Sequence, residues 1–161
     1  MQSSEALQTP SVLFVCLGNL CRSPTAQAVL ESLAASRGVP IRVDSAGTSG
    51  FHKNSLPDKR TRDAGQARGY DFSRQRSRPV DAEDFVRFDL VLAMDRQNLS
   101  DLQAICPPEY QHKLKLFLQF AEQDEEEVPD PYYGGRRGFE LVLEMIEQGC
   151  EVLLQKLETN A

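Results

Sequence analysis

The chain has 161 residues, 40% apolar and 26% charged, with a formal net charge of −6 at pH 7. That length suits one domain with a substantial core, and the acidic balance argues against nonspecific binding to nucleic acid or anionic membranes. No apolar run approaches the ~20 residues of a membrane span, and residues 1–10 are polar, without the basic start and apolar stretch of a signal peptide. The expectation is a cytoplasmic protein with a loose extension over 1–10 and a single domain over 11–161.

Val12-Leu13-Phe14-Val15 is β-branched and aromatic and predicts a buried strand. Residues 16–21 then read as a tight loop, in which Gly18 and Asn19 tolerate backbone angles that other residues resist. Ser23-Pro24 fits an N-cap followed by proline at the first helical position. The helix runs through Ala26, Ala28, Val29, Leu30, Leu33 and Ala34 and stops near Arg37-Gly38, with Pro40 blocking extension. A strand, loop and helix of this kind aim several amides and the positive helix end at one point, which makes an anion site. Cys16 sits at its entrance, where amides and a guanidinium stabilise a thiolate. Arg22 sits at its exit, with a planar fork that matches two oxygens of a phosphate.

The string Cys-Leu-Gly-Asn-Leu-Cys-Arg-Ser-Pro over 16–24 resembles the signature of the low-molecular-weight protein tyrosine phosphatases. A bare Cys-x5-Arg spacing says little in any chain; the nine-residue string, after a strand and before a helix, is specific. The resemblance implies a phosphotyrosine phosphatase I-like α/β fold, a three-layer open twisted sheet of about four parallel strands with helices on both faces and the first strand inside it. It implies a phosphate-binding loop of Leu17, Gly18, Asn19, Leu20, Cys21, Arg22 and Ser23, with Ser23 donating to the Cys16 sulfur and Asn19 tying the loop into a strained shape. It also implies that Cys21 is a redox partner, able to form a reversible disulfide with Cys16 that spares the nucleophile from overoxidation; a small loop-packing residue is the plain alternative. Gln27 stands where family members often carry Glu, a departure expected to touch a supporting contact.

Residues 41–46 alternate and predict a second strand, starting about 28 residues after the first with a helix between, a βαβ unit with parallel pairing. The loop from Gly47 to His52 follows at the carboxyl end of that strand, where open α/β sheets gather their sites. The resemblance makes Phe51 one wall of a slot for the phosphotyrosine ring, against the alternative of a half-packed loop residue, while His52 reads as a loop histidine. Pro57-Asp58-Lys59-Arg60-Thr61 opens a second helix to about Arg68-Gly69, keeping part of the family's Pro-Asp-Pro-Arg pattern with Lys59 in place of the second proline. Arg74, Arg76 and Arg78 form a basic, mainly solvated cluster, of which one is expected to pair with a carboxylate near the active loop.

Residues 88–94 are almost continuously apolar and predict a central strand. Asp95 is a plausible N-cap for a helix that ends before Pro107-Pro108, and a place near the site is its second reading. Residues 113–118 predict a fourth strand, and the acidic run 122–127 a solvated loop. Val128-Pro129-Asp130-Pro131-Tyr132-Tyr133-Gly134-Gly135 is by composition a rigid turn, and it resembles the family's Asp-Pro-Tyr-Tyr loop. That resemblance makes Asp130 the general acid and puts Tyr132 and Tyr133 in the substrate slot; Pro131 keeps Asp130 out of a helix. Apolar residues at 139, 142, 143, 146, 150, 153, 154 and 157 predict a last helix over one sheet face, with Cys150 an inert core residue and Cys106 likewise structural.

The four cysteines and two histidines lack zinc-type spacing, so neither metal nor cofactor is expected. The implied activity is hydrolysis of phosphotyrosine, in a protein or peptide, and of small aryl phosphates through a phosphocysteine intermediate, by a monomer that inorganic phosphate and other oxyanions inhibit. Three rival readings share the loop. Arsenate reductases pass electrons along closely spaced downstream cysteines, whereas Cys106 and Cys150 are far apart. Protein-arginine phosphatases tend to carry threonine where this chain has Leu20. A noncatalytic phosphopeptide-binding module would have little use for nucleophile, arginine and acid together. Nucleotide-binding glycine motifs are absent.

Overall fold

The computed structural model describes residues 9–50, 52–132 and 135–159. In chain order its elements are β1 (Ser11–Cys16), α1 (Arg22–Arg37), β2 (Arg42–Gly47), α2 (Lys59–Gln66), α3 (Ala82–Arg87), β3 (Leu90–Ala93), α4 (Arg96–Ile105), a 3-10 turn (Pro108–Lys113), β4 (Leu114–Leu116), α5 (Phe117–Phe120) and α6 (Arg136–Thr159). The strands pair in parallel in the order β2-β1-β3-β4, so β1 is interior. Cys16 stands opposite Gly47, and Val15 opposite Ala46 and Ala93.

Strand alternation divides the core between the two faces of the sheet. Val12, Phe14 and Cys16 join Val29 and Leu30 of α1, Phe117, and Ile146 and Leu153 of α6 in one cluster. Leu13 and Val15 join Phe85, Phe88, Leu102 and Cys106 in the other. The rings of Phe14 and Phe117 meet edge to face at 5.2 Å, and burying a ring of that size stabilises the fold by about 2–3 kcal/mol. Both faces are covered, which is why β1 carries no polar side chain between Val12 and Val15.

The structure departs from the sequence reading at several elements: β3 and β4 are shorter than the strands expected over 88–94 and 113–118, and Phe117 and Leu118 belong to α5. α1 begins at Arg22, not after Ser23: Cys21 is the N-cap and offers no side-chain cap bond, because the Ser23 hydroxyl is turned into the loop instead. α3 was not anticipated; it is a six-residue helix held by a capping box between Asp81 and Asp84. α6 starts at Arg136, one turn before the apolar stripe begins at Phe139. The stop of α1 is as expected: Gly38 adopts φ 66°, and its N–H reaches the carbonyls of Ala34 and Ala35. No described helix is long and apolar enough to cross a membrane.

Candidate active site

The loop leaving β1 turns back on itself through Asn19, which adopts φ 56° in the left-handed region. Its side chain is fully engaged. Nδ2 donates to Ser23 Oγ at 2.9 Å and to Ser45 Oγ at 3.0 Å, and Oδ1 accepts the Arg78 N–H at 3.0 Å. Ser45 in turn donates to Gln27 Oε1 at 2.7 Å, which is the supporting contact that the glutamine at this position makes. The loop is tied down at its edges as well: Leu17 O accepts from Ser49 N, and Leu20 O from Asp58 N, both at 2.9 Å. Gly47 must be glycine here, since a Cβ would lie 2.8 Å from Leu17 O and 3.1 Å from Asn19 N. With carbonyls anchored outward, the amides of residues 17–22 find no acceptor among the described residues. Such a nest of free amides at a helix start favours a bound anion.

Cys16 ends β1 beneath this loop, 3% exposed, with its sulfur 3.0 Å from Ser23 Oγ. Arg22, the first residue of α1, is also 3% exposed. Its Nη1 donates to Asp95 Oδ2 at 2.7 Å and to Val128 O at 3.0 Å, and its Nη2 lies 3.7 Å from Asp130 Oδ2. Burial works against the Arg22 charge, but the Cys16 sulfur, the Asp95 carboxylate and Asp130 outweigh it and hold the guanidinium above its ordinary pKa. Asp95 therefore fills both roles foreseen for it: Oδ1 caps α4 by accepting the Asn98 N–H at 2.8 Å, and Oδ2 orients Arg22.

Asp130 is the more open partner, with 40% of its side chain exposed. Its Oδ1 accepts the Tyr132 N–H at 3.0 Å, an Asx turn that aims the carboxylate while Pro131 is buried behind it. The Tyr132 ring stands at the surface, 5.1 Å from the Arg60 guanidinium, which is itself clamped by two bonds of 3.1 Å to Asp58. Phe51 and Tyr133, the other expected slot residues, lie outside the described residues. Cys21 is buried in the loop, and burial pushes its thiol up to about 12 despite its contact with Thr61. Cys106 and Cys150 are buried in separate core clusters, Cys150 in the one that holds Cys16 and with its thiol 3.8 Å from the Ala26 carbonyl of α1.

Of the three arginines after α2, Arg78 is the one that reaches the loop, through its backbone to Asn19. Its side chain binds Asp84, which is fully buried, at 2.9 and 3.0 Å, and Asp44 at 3.0 Å. Sequence reasoning missed Ser45 and Gly47 as parts of the loop's frame; it expected one of the three arginines to pair with a carboxylate, without naming Arg78 or its partners Asp84 and Asp44. The capping pattern Asp81-x-x-Asp84 was the one signal that could have drawn attention to Asp84.

An interior parallel strand running into an amide-lined loop, with a thiol, a guanidinium and a carboxylate converging on it, defines an α/β phosphate-binding protein equipped for nucleophilic chemistry. Comparison with known proteins narrows the class. The model of the low molecular weight phosphotyrosine protein phosphatase family matches residues 11–161. A putative low molecular weight protein-tyrosine-phosphatase of Synechocystis is 44% identical, the match covering 91% of this chain and 95% of that protein. The human low molecular weight phosphotyrosine protein phosphatase is 38% identical over 92% of this chain and 96% of its own. A crystal structure of a protein tyrosine phosphatase from Entamoeba histolytica, with Hepes in the active site, superposes with a TM-score of 0.90 at 41% identity, over 94% of this chain and 99% of that one. The chain belongs to the low molecular weight phosphotyrosine protein phosphatase family.

Proposed function

We propose that residues 11–161 form a single phosphatase domain in which Cys16 is the nucleophile, Arg22 the oxyanion clamp and Asp130 the general acid. The observation that carries this assignment is the placement of Arg22: a buried guanidinium fixed by Asp95 and Val128, with its other terminal nitrogen facing Asp130. In the first step the Cys16 thiolate attacks phosphorus in line, and the bond to the tyrosine oxygen breaks as Asp130 delivers its proton. Without that proton the leaving group would be a phenolate, whose conjugate acid has a pKa of ~10. In the second step Asp130 takes a proton from water, which displaces Cys16 and releases inorganic phosphate. The loop amides and Arg22 hold the equatorial oxygens throughout and stabilise the charge that spreads over them.

Ser23 supports the sulfur anion. Its oxygen already accepts from Asn19, and the carbonyl of Ala46 lies farther off, at 3.4 Å, than the sulfur at 3.0 Å. A thiolate accepts only, so the hydroxyl proton goes to Cys16. Substrates are tyrosine-phosphorylated proteins or peptides and small aryl phosphates, with Phe51, Tyr132 and Tyr133 as the residues assigned to the ring; inorganic phosphate and other oxyanions compete. The protein works as a cytoplasmic monomer, without nucleic acid or membrane as partner, a reading that the charge of −6 supports. Peroxide converts the Cys16 thiolate to a sulfenic acid, and Cys21 then displaces water to close a protective disulfide.

Aryl phosphate turnover by Cys16→Ser tests the core of the proposal. Loss of turnover, with a phosphocysteine trapped on acid quench of the unsubstituted protein, is expected; undiminished turnover would end it. Phosphotyrosine, phosphoarginine and arsenate assayed side by side separate the reading from its rivals, with phosphotyrosine expected to be the one turned over.

A further inference from the structure

Beside the phosphate loop, α2 and the first half of α6 enclose a groove of about 480 Å³. Its floor is apolar, made by Ala64, Phe139 and Leu143, and three guanidiniums stand over it, those of Arg60, Arg68 and Arg136. Such an arrangement is notable on a chain of net charge −6. The groove is continuous with the site. Arg60 lies between the Tyr132 ring at 5.1 Å and the Phe139 ring at 4.7 Å, so one side chain forms both the back of the expected slot wall and the end of the groove. The helix carrying Arg60 is anchored to the phosphate loop by the Asp58 N–H to Leu20 O bond.

Arg68 is committed to Glu147 and faces Glu144 at 4.0 Å, whereas Arg60 and Arg136 are not fully spent on partners of their own. Arg60 gives Nε and Nη2 to Asp58, and its Nη1 has no partner among the described residues. Arg136 is 93% exposed and reaches Glu140 only at 3.5 Å, through Nε. Asp63, also on the rim, is bound by Lys59 at 2.8 Å. Across the Val128–Asp130 segment the field has the opposite sign: the hollow there is lined by Asp95, Glu125, Glu127 and Asp130 itself. An acidic chain approaching the site is repelled on that side and attracted on this one.

We propose that the α2–α6 groove is a substrate subsite, occupied by the residues flanking the phosphotyrosine, with an acidic side chain among them seated against Arg136 and Arg60. The inference rests on the phosphatase reading above. It assigns the protein a preference for phosphotyrosine in acidic sequence, set outside the catalytic loop.

Three phosphotyrosine peptides, alike except that the residues on both sides of the phosphotyrosine are Glu, Ala or Lys, test it, with free phosphotyrosine as the reference substrate. The Glu peptide is expected to exceed the Lys peptide in kcat/KM by about three- to tenfold at low salt, the range for one or two exposed charge contacts. The difference should shrink as ionic strength rises. Arg136→Glu should abolish or invert the preference while leaving kcat/KM for free phosphotyrosine and the melting temperature unchanged. Equal rates on the Glu and Lys peptides, or a preference that survives Arg136→Glu, would overturn the subsite while leaving the phosphatase reading standing. Failure to hydrolyse free phosphotyrosine at all would overturn both.

Discussion

Asn19 carries two burdens, and a pair of substitutions separates them. Its side chain makes three hydrogen bonds inside the loop, to Ser23, Ser45 and the Arg78 amide, and its backbone sits at φ 56°. At about 1 kcal/mol per bond, Asn19→Gly should lose about 3 kcal/mol from the state with the loop closed. Asn19→Ala loses the same bonds and must also hold a Cβ in the left-handed region, at a further cost of about 1–2 kcal/mol. Glycine's larger unfolded-chain entropy takes back part of that difference, leaving alanine lower by about 1 kcal/mol. Urea denaturation reads the global part of the loss. Steady-state hydrolysis of an aryl phosphate reads the loop itself, with both variants slowed and alanine the slower. If alanine proved as stable and as active as glycine, the left-handed turn would not be a constraint on this loop and the account of Asn19 would be wrong.

Gly47→Ala should fold but misplace the loop, because its methyl would press on Leu17 O and Asn19 N; a rise in the inhibition constant for inorganic phosphate, with a stability loss of about 1–3 kcal/mol, is the expected reading. Asp84 tests the frame through pH. Burial alone would raise its carboxyl, but Arg78, the Asp81 amide and Arg87 outweigh burial and hold it below the usual value. A carboxyl lowered in the folded state stabilises above its unfolded pKa of about 3.9, and that contribution is lost as pH falls through the lower folded value. Asp84→Asn should therefore be less stable at pH 7, by about 3 kcal/mol since Asp44 still faces Arg78, and should show a shallower decline in acid; melting curves that stay parallel down to pH 2.5 would refute this. Burial pushes the Cys21 thiol up to about 12, so in the proposed role of resolving thiol it would act slowly at neutral pH, and the rate of Cys16–Cys21 disulfide formation after peroxide should climb steeply with pH; a flat profile, read by mass spectrometry, would contradict it.

The strands, the anion loop and the long last helix were legible because each rests on local pattern: an apolar run, a glycine-and-asparagine turn before a helix, an apolar stripe of helical period. The pairing order and the family's site residues came from the motif strings at 16–24 and 130–133 rather than from periodicity. What stayed hidden depends on contacts between distant segments. Ser23 looked like a cap because serine before proline so often is one; tertiary demand from Cys16 and Asn19 took its hydroxyl elsewhere. Arg78 could not be chosen among three arginines, since its link to the loop runs through a backbone amide, which any residue type possesses. α3 is too short to show a period, and only its acidic capping pair marks it.

Arg22 connects pieces of chain that are remote in sequence: its bonds span 73 residues to Asp95 and 106 to Val128. Excised alone, residues 11–25 would keep every letter of the signature and have nothing to aim the arginine. Competence should thus appear late in refolding, only once β3 and the segment beyond α5 have docked, making turnover a stringent clock for completion of the native topology.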